Sequence, residues 1–219
     1  KITEALPHFT VGVPKEYFHA GLRAEVKSCV LQAVAVLEKI GLRVQEVSLP
    51  LTQYCLPDYC LLTPVEFLPI FDQLQEMAGD ENGDWGLEVK TRVLTGAFLA
   101  SEKGREKYYL PAVKMREAIK KEVALMWQKV DFLLTPSTLD VAFSYEQMPS
   151  GVQMRKSDEL LAMANLTGIP AISLPCAFLD NMPVGMQFMA AYGKDDCLLQ
   201  LAYAFEQESA LKIDYLDLL

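Results

Sequence analysis

The most constraining feature of the sequence is a strand–helix–strand run within its first fifty residues. Thr10 to Val13 is a short strand-like stretch that stops at Pro14. Val26, Cys29, Val30, Ala33, Val34, Leu37 and Ile40 then recur at helical spacing, and Gly41 follows where a left-handed helix cap is wanted. Arg43 to Leu49 alternates through Val44, Glu46, Val47 and Leu49 and ends at Pro50. Two strands joined through a helix favour a parallel pair, which points to an α/β class.

The rest of the chain continues that alternation. Cys55 to Met77 is apolar but carries Pro57, Pro64 and Pro69, so short helical pieces are expected there rather than one long helix. Gly79 to Gly86 reads as a loop. Leu87 to Ala100 reads as a helix and Tyr108 to Val130 as a longer one. Asp131 to Leu134 reads as a buried strand ended by Thr135-Pro136. Asp158 is a good N-cap residue for a short helix that Gly168-Ile169-Pro170 breaks. Ala171 to Leu174 and Val184 to Ala190 are strands with a turn at Asn181-Met182-Pro183, and Asp195 to Ser209 is a closing amphipathic helix. Leu160 to Leu179 carries no charge, but two prolines and a glycine argue against a membrane span. No repeat or linker divides the chain, so residues 1–219 are expected to form a single domain.

Composition removes several function classes. Lys plus Arg is 20 against 29 Asp plus Glu, a net charge of −9, so the basic footprint of a direct nucleic-acid binder is missing. A zinc site or Ser-His-Asp triad would have to draw on His8 and His19, both near the start. The five cysteines form no C-x-x-C and are expected to be reduced and buried, and no metal site is expected. Neither a G-x-S-x-G turn nor a Gly-Gly-Ser-Ser cluster is present, and no phosphate-cradling loop. The residues alone lead to an α/β domain without a complete catalytic set.

Three polar positions remain as candidates. Arg92 lies in an otherwise apolar helical stretch near Val89, Val93 and Gly96, where a guanidinium could grip a carboxylate. Asp158 precedes the most apolar part of the chain and could accept hydrogen bonds from an ammonium. Tyr59, among Pro57, Cys60, Leu61 and Leu62, could offer a phenolic donor. Cation plus anion would suit the backbone groups of an amino acid. The plainer readings stay open beside these: an N-cap for Asp158, a surface ion pair for Arg92, a core position for Tyr59.

These residues sit in stretches that resemble the amidase-signature family, and within it the A subunits of tRNA-dependent amidotransferases. The matching pieces are Val11-Gly-Val-Pro-Lys-Glu-Tyr-Phe18, Glu46-Val-Ser-Leu-Pro50, Glu88-Val-Lys-Thr-Arg92, Tyr108-Tyr109 with Lys114 and Arg116 soon after, Leu134-Thr-Pro136, Ala164-Asn-Leu-Thr-Gly-Ile-Pro170, Pro183-Val-Gly-Met-Gln187 and Ala202-Tyr-Ala-Phe-Glu206. The resemblance implies a mixed β-sheet core wrapped by helices. It implies a serine that attacks a carboxamide and releases ammonia, with a second serine and a lysine relaying the proton. Those three lie in the family's first half, so no catalytic residue is carried over here. By motif, Tyr59 matches a donor-pocket tyrosine, Arg92 the arginine on the donor's α-carboxylate, and Asp158 the aspartate on its α-amino group.

The implied donor is glutamine or asparagine. The implied partners are the amidotransferase B and C subunits. The B subunit meets the tRNA and uses ATP and magnesium, and the small C subunit clamps the other two. No cofactor is implied on this chain and no membrane contact; the implied compartment is the cytoplasm or an organelle matrix. The sequence departs from the family after Pro64: in place of a Ser-Ser-Asn stretch and a longer Arg- and Tyr-bearing segment, Glu66 passes to Glu88 through Phe67-Leu-Pro-Ile-Phe71 and the Asp80-to-Trp85 loop, and the stretch between Ser137 and Asp158 is also unusual. A stand-alone amidase acting on a small carboxamide, and a truncated non-catalytic binding module, are the alternative readings.

Overall fold

The fold is seen in a computed structural model, which describes residues 8–78, 85–147, 156, 158–209 and 211. Strand β1 (Thr10–Pro14), helix α1 (Ala24–Lys39) and strand β2 (Arg43–Val47) form the expected unit. The two strands pair in parallel, with Val11 opposite Val44 and Val13 opposite Glu46. α1 buries Val26, Cys29, Val30, Ala33 and Leu37, and Gly41 takes φ +89° just past its end.

Helix α2 (Cys55–Ala78) is one 24-residue element, which corrects the expectation of short pieces. Pro57 falls in the first turn, where its missing N–H has no helical partner to lose. Pro64 and Pro69 are interior and each removes one donor. Tertiary packing compensates: helix α3 (Leu87–Ala100) lies against α2 so closely that a Cβ on Gly96 would collide with the Pro64 carbonyl oxygen. Gly86 flanks the start of α3, while residues 79–84 of the expected loop lie outside the described residues.

The next helix begins earlier than its apolar spacing suggests. Ser101 caps it, its hydroxyl accepting from the Gly104 N–H at 3.3 Å. The chain then passes through a wider turn at Arg105–Tyr109, where the Leu110 N–H reaches the Arg105 carbonyl, into α4 (Leu110–Met126). That register admits Pro111, which has no N–H to give.

Strand β3 (Phe132–Pro136) is buried throughout. Helix α5 (Ala162–Thr167), strand β4 (Ala171–Leu179), strand β5 (Met182–Ala190) and helix α6 (Asp195–Glu208) complete the chain. The β4–β5 turn sits at Asp180 and Asn181, with φ of +53° and +62°, so it begins ahead of the expected position. Both residue types tolerate left-handed backbone, so Met182 and Pro183 are free to join β5.

The sheet order is β2-β1-β3-β5-β4. β1 is parallel to β2 and β3, whereas β5 is antiparallel to β3 and β4, so this is a mixed α/β sheet. Its core includes Phe132, Leu134, Met186 and Phe188, all fully buried, each worth about 1.5–3 kcal/mol of burial. Phe188 meets Phe205 of α6 edge-on, with ring centroids 5.9 Å apart. No helix among the described residues is long and apolar enough to cross a membrane.

Candidate functional site

Two regions carry the candidate residues. The first is the α2/α3 hairpin. Tyr59 lies near the start of α2, half-buried against the core, and its carbonyl accepts the Thr63 hydroxyl at 2.9 Å. Arg92 projects from α3 with its side chain 42% exposed. Its guanidinium stands 3.5 Å from the Glu88 carboxylate and lies over the Phe67 ring, 5.9 Å from the centroid. An exposed pair one helical turn apart is worth only a few tenths of a kcal/mol, about 0.3–0.5. Arg92 is therefore oriented by the ring yet open to exchange Glu88 for another carboxylate. Phe67, Phe71 and Trp85 form an aromatic row beside it, with centroids 6.0 and 5.2 Å apart.

Beneath this hairpin lies a charged layer. Asp58 is 4% exposed, and burial pushes its carboxyl up to about 6 against the opposing pull of Arg116. Its Oδ2 meets no hydrogen-bond partner among the described residues. Arg116 of α4 donates to Glu66 Oε1 at 2.5 Å and so ties α4 to α2.

The second region is one face of the sheet. Thr135, Gln187 and Ser173 stand opposite one another on β3, β5 and β4, and so share a face. Ser137, just past β3, donates its N–H to the Gly185 carbonyl at 3.0 Å. Its hydroxyl lies 2.7 Å from the Ser173 hydroxyl. A side chain on Gly185 would crowd this bridge, with an added Cβ 3.1 Å from the Ser137 Cβ. Among the described residues no lysine, histidine or carboxylate bonds either serine.

Asp158 sits in the turn ahead of α5. The helix N-cap is Leu161, not Asp158, and no side chain caps it, which corrects the capping expectation. The backbone carbonyl of Asp158 takes the first bonds instead, from the N–H groups of Leu161 (3.0 Å) and Ala162 (3.1 Å). Its carboxylate is left exposed. Glu159 next to it stands 3.5 Å from His19. Gln187 reaches the same turn from the sheet, its Nε2 donating to the Leu160 carbonyl at 2.7 Å.

The structure thus places Tyr59 and Arg92 on one hairpin and Asp158 on a separate turn. Helix α2 packs against both α3 and α5. No hydrogen bond or ion pair joins the three directly among the described residues; Arg92 pairs with Glu88. Sequence reasoning gave no site role to Asp58, Ser137 and Ser173, and placed Arg116 and Gln187 only within family-like stretches. The available signal for Gln187 was one polar side chain in the apolar run Val184 to Ala190, and for Asp58 one charge in an apolar segment.

All five cysteines are free; Cys29 and Cys55 are buried and the other three half-buried, so burial is less complete than expected. Burial, with Asp58 and Glu122 nearby, pushes the Cys55 thiol up to about 12, and burial pushes Cys176 to about 12 as well. Neither is poised as a thiolate nucleophile. Among the described residues no three His, Cys, Asp or Glu side chains come together as a metal site.

Comparison with known proteins adds the following. The family model described as Amidase matches residues 1–199. The glutamyl-tRNA(Gln) amidotransferase A subunit of Sulfurihydrogenibium sp. (strain YO3AOP1) is 36% identical over 213 residues, covering 90% of this chain and 44% of the relative. The same subunit of Carboxydothermus hydrogenoformans is 37% identical over 216 residues, covering 91% and 44%. The crystal structure of the A subunit from Thermotoga maritima superposes with TM-score 0.77 at 27% identity, covering 97% of this chain and 45% of that one. A bacterial aryl acylamidase shares the fold, with TM-score 0.75 at 16% identity over 95% of this chain and 45% of that one. The chain spans less than half the length of the curated relatives it matches.

Proposed function

The chain belongs to the amidase family, and on that premise we propose that it is the donor-holding half of an amidotransferase-type amidase that takes ammonia from glutamine. The observation that carries this reading is the extent of the family match, which runs through α2 with Tyr59, α3 with Arg92 and the turn with Asp158. Arg92 holds the donor's α-carboxylate, replacing the Glu88 contact with a charge-assisted one. Asp158 holds the α-ammonium with its exposed carboxylate, and Tyr59 lines the donor pocket. These three bind and orient; the nucleophile, its partner serine and the lysine come from the half of the relatives' length that this chain does not span.

In this reading the released ammonia passes to a partner B subunit, which meets the tRNA and uses ATP and magnesium, while a C subunit holds the two together. The acidic charge of −9 suits a protein that leaves tRNA to its partner. Such an enzyme works in the cytoplasm or an organelle matrix.

One observation favours a second reading. The aromatic row Phe67, Phe71 and Trp85 beside Arg92 would suit a stand-alone amidase acting on an apolar carboxamide. The two are separated by supplying the front half of the Sulfurihydrogenibium relative and measuring ammonia release. Faster turnover of glutamine than of an aryl or alkyl carboxamide supports donor holding. The reverse preference replaces it with the second reading.

A further inference from the structure

The turn that presents Asp158 is short, leaves Asp158 exposed and is not capped by any side chain, yet one buried group reaches it from the sheet. We propose that Gln187 is a positioning residue: its buried carboxamide holds the 158–161 turn against the end of β3 and so sets where the Asp158 carboxylate stands. This rests on the donor-holding reading of Asp158 given above.

The geometry is as follows. Gln187 is 2% exposed in the middle of β5, between Thr135 of β3 and Ser173 of β4. Its Nε2 donates to the Leu160 carbonyl at 2.7 Å, and lies 3.5 Å from the Pro136 carbonyl, a long second contact. One amide group therefore touches both the exit of β3 and the turn. The anchored carbonyl is two residues from Asp158, and Leu160 is itself buried at 3% exposure. On the other side of the turn, Asp158's own carbonyl takes the Leu161 and Ala162 N–H groups. With the Leu160 carbonyl held by Gln187 and the Asp158 carbonyl held by two N–H groups, a shift of Leu160 moves Asp158 with it.

The chemistry explains the residue type. A buried carbonyl without a donor is costly, and a carboxamide at this depth supplies one without a charge. An apolar residue of the same length would fill the space and release the turn. The second contact to the turn, His19 with Glu159 at 3.5 Å, is partly exposed and acts on the neighbouring side chain rather than on the backbone.

The test has two arms. In the chain itself, hydrogen–deuterium exchange is followed at Leu161 and Ala162 in Gln187→Met. Exchange at least about ten-fold faster at these amides, with the Ser137 amide unchanged, is expected; unchanged protection overturns the proposal. Where Gln187→Met does not fold, Gln187→Glu serves. Its carboxyl donates to Leu160 only when neutral, so protection must fall as pH rises, and pH-independent protection overturns the proposal. In the enzyme assembled with the front half, Gln187→Met is expected to raise KM for glutamine about ten-fold with kcat within about three-fold, and to add nothing to Asp158→Asn. Additive effects overturn positioning through Asp158. A KM unchanged in Asp158→Asn alone overturns the donor-holding reading, and the exchange arm still decides whether Gln187 holds the turn.

Discussion

The sheet and the α2/α3 hairpin are held together in different ways. The sheet is closed by apolar contacts on many residues: β3 is buried end to end, and Phe132, Leu133, Leu134, Met186, Phe188 and Met189 are at most 1% exposed. The hairpin closes through backbone approach at Gly96 and a few buried side chains such as Leu62 and Leu99, and the Arg116–Glu66 pair ties it to α4. It leaves Ile70, Leu74, Met77, Leu87, Leu94 and Phe98 exposed. The difference separates a layer closed by burial from one that leaves apolar side chains exposed beside the candidates Tyr59 and Arg92.

That contrast can be broken or sharpened by mutation. The largest effect is expected in the sheet. Leu134→Ala removes a fully buried side chain from the central strand and should cost about 3 kcal/mol by denaturant titration, in a single global transition. Gly96→Ala should cost about 2 kcal/mol, because an added methyl must push α3 off the Pro64 carbonyl. Its loss of exchange protection should be confined to α2 and α3, with β3 and β5 still protected. A uniform loss would mean that hairpin and sheet open as one unit.

A smaller effect concerns the charge layer between α2 and α4. The Asp58 carboxyl ordinarily titrates at 3.8 and in the fold is pushed up to about 6 by burial. The folded state therefore binds this proton more tightly than the unfolded state. Asp58 contributes stability below about pH 4 and loses it as pH rises through about 6. Tm should fall between pH 4 and pH 7 by an increment that Asp58→Asn abolishes; an equal slope in the variant would contradict the burial argument. The smallest effect is expected for Ser173→Ala, about 1 kcal/mol, since the Ser137–Ser173 bridge is only partly buried.

Much of the sheet layer was legible in sequence because its signals are local. The strand–helix–strand opening, the Gly41 cap and the closing helix all follow from spacing and turn chemistry over a few residues. The hairpin was harder to read, since Pro64 and Pro69 break a helix by local rules and only the distant Gly96 reveals the packing that holds α2 whole. The start of the helix before α4 hinged on Ser101, which lies outside the apolar pattern of Tyr108 to Val130. At the site, Tyr59, Arg92 and Asp158 were marked by residue type and by motif. Gln187 was marked only by motif, and Ser137 and Ser173 by neither, because their partners are 13 to 51 residues away in the chain. Asp158 shows the limit of residue type alone: a good capping side chain stands three residues ahead of Leu161, and its backbone does the capping work.

The most direct measurement of the central claim is the steady-state KM for glutamine of Arg92→Ala, in the chain assembled with a relative's front half. Loss of a charge-assisted contact to the donor's carboxylate, about 1.5–3 kcal/mol, predicts a KM raised roughly ten- to a hundred-fold with kcat little changed. A KM equal to that of the unaltered chain would show that Arg92 serves only its Glu88 pair and the Phe67 ring, and would contradict the donor-holding account.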